Sequence, residues 1–136
     1  MSYALSAALQ AAVHARLSGD AALGALTGGH VHDAPPAGKL PPLYVLIGPE
    51  RVRDRSDASG PGAEHDLTVT VAGEAGSFRA AKEAAAAVSA ALLDPPLALE
   101  AGRLLHLSFR RARAARGPRG RGRRIDLTFR ARVAPE

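Results

Sequence analysis

Four prolines fall between Ala34 and Pro42, and the chain leaves them through an apolar run, Leu43–Ile47, that ends on Gly48-Pro49-Glu50. Proline fixes φ and has no N–H to donate, so this stretch can be neither helix nor central strand. The segment Val31–Glu50 therefore reads as a short strand at Val31–Asp33, a crossing loop, and then a strand buried on both faces or covered at an interface. Arg51, Arg53 and Arg55 alternate with Val52 and Asp54, which continues that strand with a solvated or partner-facing side.

Around this segment the periodicity changes between helix and strand. Leu5, Leu9, Val13 and Leu17 recur every four residues and predict an amphipathic helix over Ala4–Leu17, with Ser2 as its N-cap. Ser18-Gly19-Asp20 ends it, Asp20 caps a second, short helix at Ala21–Leu26, and Gly28-Gly29 stops that one. Asp57–Ala63 is a turn rich in glycine and proline, and Asp66–Val71 alternates Leu67, Val69 and Val71 against Thr68 and Thr70, completing a long hairpin. Ser77–Leu93 is the second main helix, capped by Ser77, with Phe78, Ala81, Ala85, Val88 and Leu92 as its apolar stripe and Asp94-Pro95-Pro96 as its end. A final hairpin pairs Arg103–Arg113 with Arg124–Val133 through a loop at Ala114–Arg123. Its last strand puts Ile125, Leu127, Phe129, Ala131 and Val133 on one face, and Asp126, Thr128, Arg130 and Arg132 on the other. The prediction is an α+β fold: a mainly antiparallel sheet, two main helices packed on one face, and long protruding hairpins. One domain spans residues 1–136, with flexible hairpin tips at 56–63 and 114–123.

Charge is split along the chain. Residues 1–100 hold 7 basic and 11 acidic side chains, a net −4, whereas residues 101–136 hold 11 arginines against two acids, a net +9. Such asymmetry implies an anionic partner for the C-terminal part, either nucleic acid or an acidic protein surface. With no cysteine, disulfides and thiolate metal sites are excluded. The N-terminal residues lack the basic region and apolar core of a signal peptide, and no apolar run approaches the ~18 residues of a membrane span. A soluble protein made in the cytoplasm is the expectation.

Catalytic chemistry finds no foothold. The serines lie in no GxSxG elbow, and neither Gly60-Pro61-Gly62 nor Gly73–Gly76 has the form of a phosphate loop. Asp54, Asp57, Glu64 and Asp66 cluster around one turn, but exposed acids beside a hairpin turn are commonplace and paired carboxylates need more than proximity in sequence. His30 and His32 stand at strand spacing beside Asp33 and could begin a metal site, yet His14, His65 and His106 are scattered and no third ligand is specified; surface imidazoles are the plainer reading. The sharpest chemical feature is Arg110–Arg124, with Arg110, Arg111, Arg113, Arg116, Arg119, Arg121, Arg123 and Arg124 spaced by alanine and glycine. Guanidinium forks suit phosphates and carboxylates, but no aromatic lies within the stretch to stack on bases. It is either a basic hairpin that orders on assembly or a DNA-facing arm.

The order of elements and their local signatures resemble the small tail-completion, or tail terminator, proteins of long-tailed phages and gene transfer agents. The residues carrying the resemblance are the first helix with Leu5, Leu9 and Leu17; Val31-His32-Asp33 with Pro36; Pro42-Leu43-Tyr44-Val45 leading to Ile47-Gly48; His65-Asp66-Leu67-Thr68-Val69; Leu92-Leu93; Gly102-Arg103-Leu104; and the final strand Ile125–Val133. The resemblance implies a non-enzymatic virion protein with no cofactor, made in the bacterial cytoplasm and placed at the head-proximal end of the tail of a phage or gene transfer agent. It implies a homohexameric ring that caps the tail tube, ends its growth and meets the head-side connector or stopper, with non-specific contact to DNA in the channel and no membrane. On this reading Arg51, Arg53, Arg55, Asp57 and Glu64 form an inter-subunit hairpin, and the eight arginines of Arg110–Arg124 form the assembly or DNA-facing arm. The alternative is a small basic nucleic-acid-binding module.

Overall fold

A computed structural model describes residues 3–74, 78–117 and 120–135. Ser2 and Ser77, expected as helix caps, and Arg119 of the basic stretch lie outside the described residues. Among these residues three helices and five strands follow one another as α1 (Ser6–Ser18), α2 (Ala21–Thr27), β1 (Val31–His32), β2 (Leu43–Asp54), β3 (Ala63–Gly73), α3 (Phe78–Leu93), β4 (Arg103–Arg116) and β5 (Arg123–Ala134). The strands form one sheet in the order β1-β2-β3-β5-β4, with β1 parallel to β2 and every other pair antiparallel. The α+β fold anticipated from the sequence is the one observed.

Local chemistry explains where the helices begin and end. Asp20 accepts the Leu23 amide at 2.9 Å, and Gly28 closes α2 in the left-handed region at φ 65°. The end of α3 is held from outside: the Arg16 guanidinium of α1 donates to the carbonyls of Ala91 at 2.7 Å, Pro95 at 2.6 Å and Pro96 at 3.3 Å. A helix end leaves carbonyls without intrahelical partners, so one arginine both satisfies that end and ties α1 to α3.

The helices cover one face of the sheet. Leu9, Val13 and Leu17 of α1 and Ala81, Ala84, Ala85, Val88, Ala91 and Leu92 of α3 bury against Val45, Ile47, Leu67, Val69, Val71, Ile125, Leu127, Phe129 and Ala131. The alanines of α3 let the helix lie close on the strands. Phe129 is the bulk of this core, fully buried and edge-on to Phe109 at a centroid distance of 5.9 Å.

A bulge decides which charges face which way. Ile47 pairs with Val69 and Glu50 pairs with Leu67, so Gly48 and Pro49 together oppose Thr68 alone. The extra residue shifts the alternation. Glu50 and Val52 turn toward the helices, and Arg51 and Arg53 turn to the opposite, helix-free face, opposite Asp66 and Glu64. Strict alternation continued from Ile47 would have sent both arginines under the helices.

Both hairpins are paired inside the sheet along their strands, so only their turns project. They project at opposite ends, because Ala63 pairs with Val133 at one end of β3 and Gly73 with Arg123 at the other. The turn after β2 is tightly bonded: Arg55 N–H donates to the Gly62 carbonyl at 2.8 Å, Asp57 N–H to Gly60 at 2.9 Å, and Gly62 N–H to Ser56 Oγ at 3.2 Å. The turn between β4 and β5 is shorter than expected, since β4 runs on to Arg116.

Candidate assembly surface

The helix-free face of the sheet gathers most of the charge singled out in the sequence. On β5, Arg124, Asp126, Thr128, Arg130 and Arg132 point this way; on β3, Glu64, Asp66, Thr68, Thr70 and Ala72 stand opposite them in register. Two rows cross the sheet, Arg51–Asp66–Arg130 and Arg53–Glu64–Arg132. Opposite charges facing one another across strands favour this register.

Glu64 is the centre of the network. Although its residue is 6% exposed, it meets three guanidiniums: Arg53 Nε donates to its carboxylate at 2.7 Å, Arg130 Nε lies at 3.3 Å and Arg55 Nε at 3.6 Å. Arg130 also donates to Asp66 through Nε at 2.8 Å and Nη2 at 3.3 Å. Arg132 reaches the hairpin turn and donates to Asp57 Oδ2 at 2.9 Å. Arg124 donates to Asp126 at 3.0 Å, and Thr70 donates to the same carboxylate at 2.6 Å.

The network divides the candidate residues. Arg53, Arg55, Asp57 and Glu64 bind one another or Arg130 and Arg132, and so hold the β2–β3 hairpin together. Arg123 lies over the Phe78 ring, its guanidinium carbon 4.7 Å from the centroid, and Arg124 is taken by Asp126. Arg51, Arg110, Arg111, Arg113, Arg116 and Arg121 make no ion pair among the described residues, and all are exposed. These are the cations left for a partner. Arg130 and Arg132, outward-facing in the sequence pattern, prove to be the residues that join β5 to the acids of the β2–β3 hairpin, Arg130 to Glu64 and Asp66 on β3 and Arg132 to Asp57 in the turn. Nothing local in the sequence signals this pairing, because α3 and β4 separate the two strands.

Beside this surface lie two further features. A groove of about 660 Å³ runs between the proline loop and the β4–β5 turn, floored by Tyr44, Leu46, Thr70 and Ala72 and edged by Arg121, Arg123 and Arg124. A smaller cleft of about 190 Å³ is lined by Asp66, Arg110, Arg111, Thr128 and Arg130. His30 Nδ1 and His32 Nε2 come within 3.2 Å of each other, and among the described residues no group of three potential ligands is assembled that could hold a metal.

Under the helices a half-buried acid fixes α1 to the sheet. Glu50 accepts hydrogen bonds from the Tyr3 and Ser6 hydroxyls, and His65 Nδ1 lies 3.3 Å from its other oxygen. Burial pushes the Glu50 carboxyl up, but the hydrogen bonds from Ser6, Tyr3 and His65 outweigh it and hold the group below its ordinary 4.5. Asp66 is held below its ordinary 3.8, first by the hydrogen bonds from Arg130, against a smaller opposing effect of burial. Groups depressed in the folded state stabilise it above their ordinary values, and that contribution is lost as the pH falls through the folded values. The urea midpoint should therefore hold steady from about pH 7 to 5 and fall below about pH 4. Asp66→Asn should flatten part of that fall. A midpoint unchanged at about pH 3 would show that neither carboxylate gains from its partners.

Comparison with known proteins gives this surface its context. The chain matches the family described as tail completion protein gp17 over residues 11–134. No curated protein sequence matches it. Among solved structures it is similar to a chain of the virion of a native gene transfer agent particle, with 53% identity, a TM-score of 0.90, and coverage of 97% of this chain and 98% of that one. A match across nearly the whole fold, core and charged face together, shows that the chain belongs to the tail completion protein gp17 family.

Proposed function

We infer that this protein is a structural component of the virion tail that closes into a hexameric ring on the end of the tail tube, stops the tube's growth, and joins it to the head-side connector. The observation that carries the reading is the similarity over almost the entire chain to a gene transfer agent virion protein, on top of family membership.

The sheet supplies physical support. A ring of identical subunits needs head-to-tail contacts between two different surfaces. Two long stretches of strand edge are open among the described residues and lie on opposite sides of the sheet: the outer edge of β4, and β2 beyond Val45 and Leu46, the two residues covered by the two-residue β1. Open edges accept a further strand through main-chain hydrogen bonds. The unequal charge of the two parts of the chain, −4 against +9, suits contacts between unlike surfaces. In this reading the β2–β3 turn and the β4–β5 turn reach the tube and the connector from the two ends of the sheet.

Electron microscopy of particles from a strain deleted for the gene tests the reading. Tails of uncontrolled length, or full heads detached from tails, are expected. Particles of normal tail length and normal head attachment would reject both the capping and the joining role.

A further inference from the structure

The cleft lined by Asp66, Arg110, Arg111, Thr128 and Arg130 is built by a second bulge. Successive strand residues point to opposite faces, so two consecutive arginines would ordinarily be parted by the sheet. Phe109 pairs with Phe129 and Arg111 with Thr128, which leaves Arg110 as the extra residue. Both arginines consequently border one cleft on the helix-free face.

The charge in this cleft is unbalanced. Asp66 is engaged by Arg130 through two hydrogen bonds. Arg110 and Arg111 make no ion pair among the described residues, so of the three guanidiniums lining the cleft only Arg130 is matched by carboxylates, Asp66 and the neighbouring Glu64. Guanidinium forks and a threonine hydroxyl match the acceptor oxygens of a phosphate. Arg113, opposite Asp126, and Arg51, opposite Asp66, extend the positive charge on either side. None of the cleft residues is aromatic, so the site has no platform on which to stack an unpaired base.

We propose that this cleft binds a phosphodiester group of duplex DNA, and that the helix-free face thereby holds the DNA backbone without reading its sequence. The bulge, rather than the hairpin tip, is then the principal contact. The proposal rests on the ring reading only for where DNA would run in a particle. The binding itself is a property of the purified chain, so its failure and the failure of the capping role are separate results.

The test is fluorescence anisotropy of a short random-sequence duplex titrated with the purified full-length protein over a series of salt concentrations. Arg110→Gln and Arg111→Gln should each weaken binding about tenfold at low salt and reduce the slope of log affinity against log salt by about one. Thr128→Val should weaken binding and leave the slope unchanged, and Asp66→Asn should tighten it. Arg79→Gln, an exposed arginine paired with Glu83 on the helix side, should match the wild type. Thermal midpoints of the arginine and threonine variants should stay near the wild type. Equal weakening by Arg79→Gln and Arg111→Gln would reduce the effect to diffuse charge and overturn the site. So would the absence of duplex binding at low salt. Displacement of the duplex by polyglutamate more readily than by unlabelled duplex at equal charge would make the cleft a carboxylate dock and overturn the phosphodiester assignment.

Discussion

Replacing Phe129 with alanine should lower stability by about 3–5 kcal/mol and the thermal midpoint by about 10–20 °C. The chain has three phenylalanines and no tryptophan, and only Phe129 among the aromatics is fully buried. In the core cluster it belongs to, the α3 contribution is largely alanine, at Ala81, Ala84, Ala85 and Ala91. Such short side chains have no reach with which to fill the vacated volume, so the site should collapse poorly and the cost should sit at the upper end for its type. Phe109 is the control: it touches the same ring but is 44% exposed, so Phe109→Ala should cost about 1 kcal/mol. Urea denaturation of the two variants decides the matter. A Phe129 variant within about 1 kcal/mol of the wild type would mean that the core is organised around other residues.

Phe129 also marks how far the sequence could be read. Its outward neighbours Thr128 and Arg130 alternate with it without interruption, and β5 was legible in full. The helices were legible for the same reason, with Leu5, Leu9, Val13 and Leu17 at one spacing and Asp20 as a capping residue. Strand β4 was legible only to Arg113, because its inward positions beyond Phe109 are Ala112 and Ala114, which line a shallow groove beneath α3 and carry no hydrophobic signal of their own. The bulges were not legible. Each depends on which residue of a partner strand stands opposite, and that is a property of pairing.

The charged face was legible as composition but not as a network. Arg53, Arg55 and Glu64 were singled out as a hairpin set, and they do meet. Their dependence on Arg130 follows from β3 lying beside β5, strands that are far apart in sequence. Arg123 shows the same limit from the other side: as one arginine in a basic stretch it looks free, and only the return of the chain places Phe78 beneath it. Six of the candidate arginines make no ion pair among the described residues, and those are the ones on which the partner-facing proposals rest.

The β4–β5 turn offers the second large effect, through Gly122→Ala. Gly122 has a φ of +68°, which an alanine adopts at a cost of about 1–2 kcal/mol. Its backbone also lies against β3, and a Cβ there would be driven into the carbonyl oxygen of Gly73. Backbone meets backbone at this point, so no side chain can rotate away, and the overpacking should add about 1–3 kcal/mol. Gly120 separates the two contributions: its φ is +71° but nothing lies within 4 Å of its Cβ position, so Gly120→Ala should show the conformational cost alone. The difference between the two variants in urea then measures the close approach of the turn to β3. A turn pushed off Gly73 should also draw Arg123 away from Phe78 and displace Arg121 and Arg124, so Gly122→Ala should reduce particle assembly where Gly120→Ala does not. Equal stability and equal particle yield for the two variants would mean that the position of the arginine-bearing turn is set elsewhere, and that its seat on the sheet is not what fixes the arm for assembly.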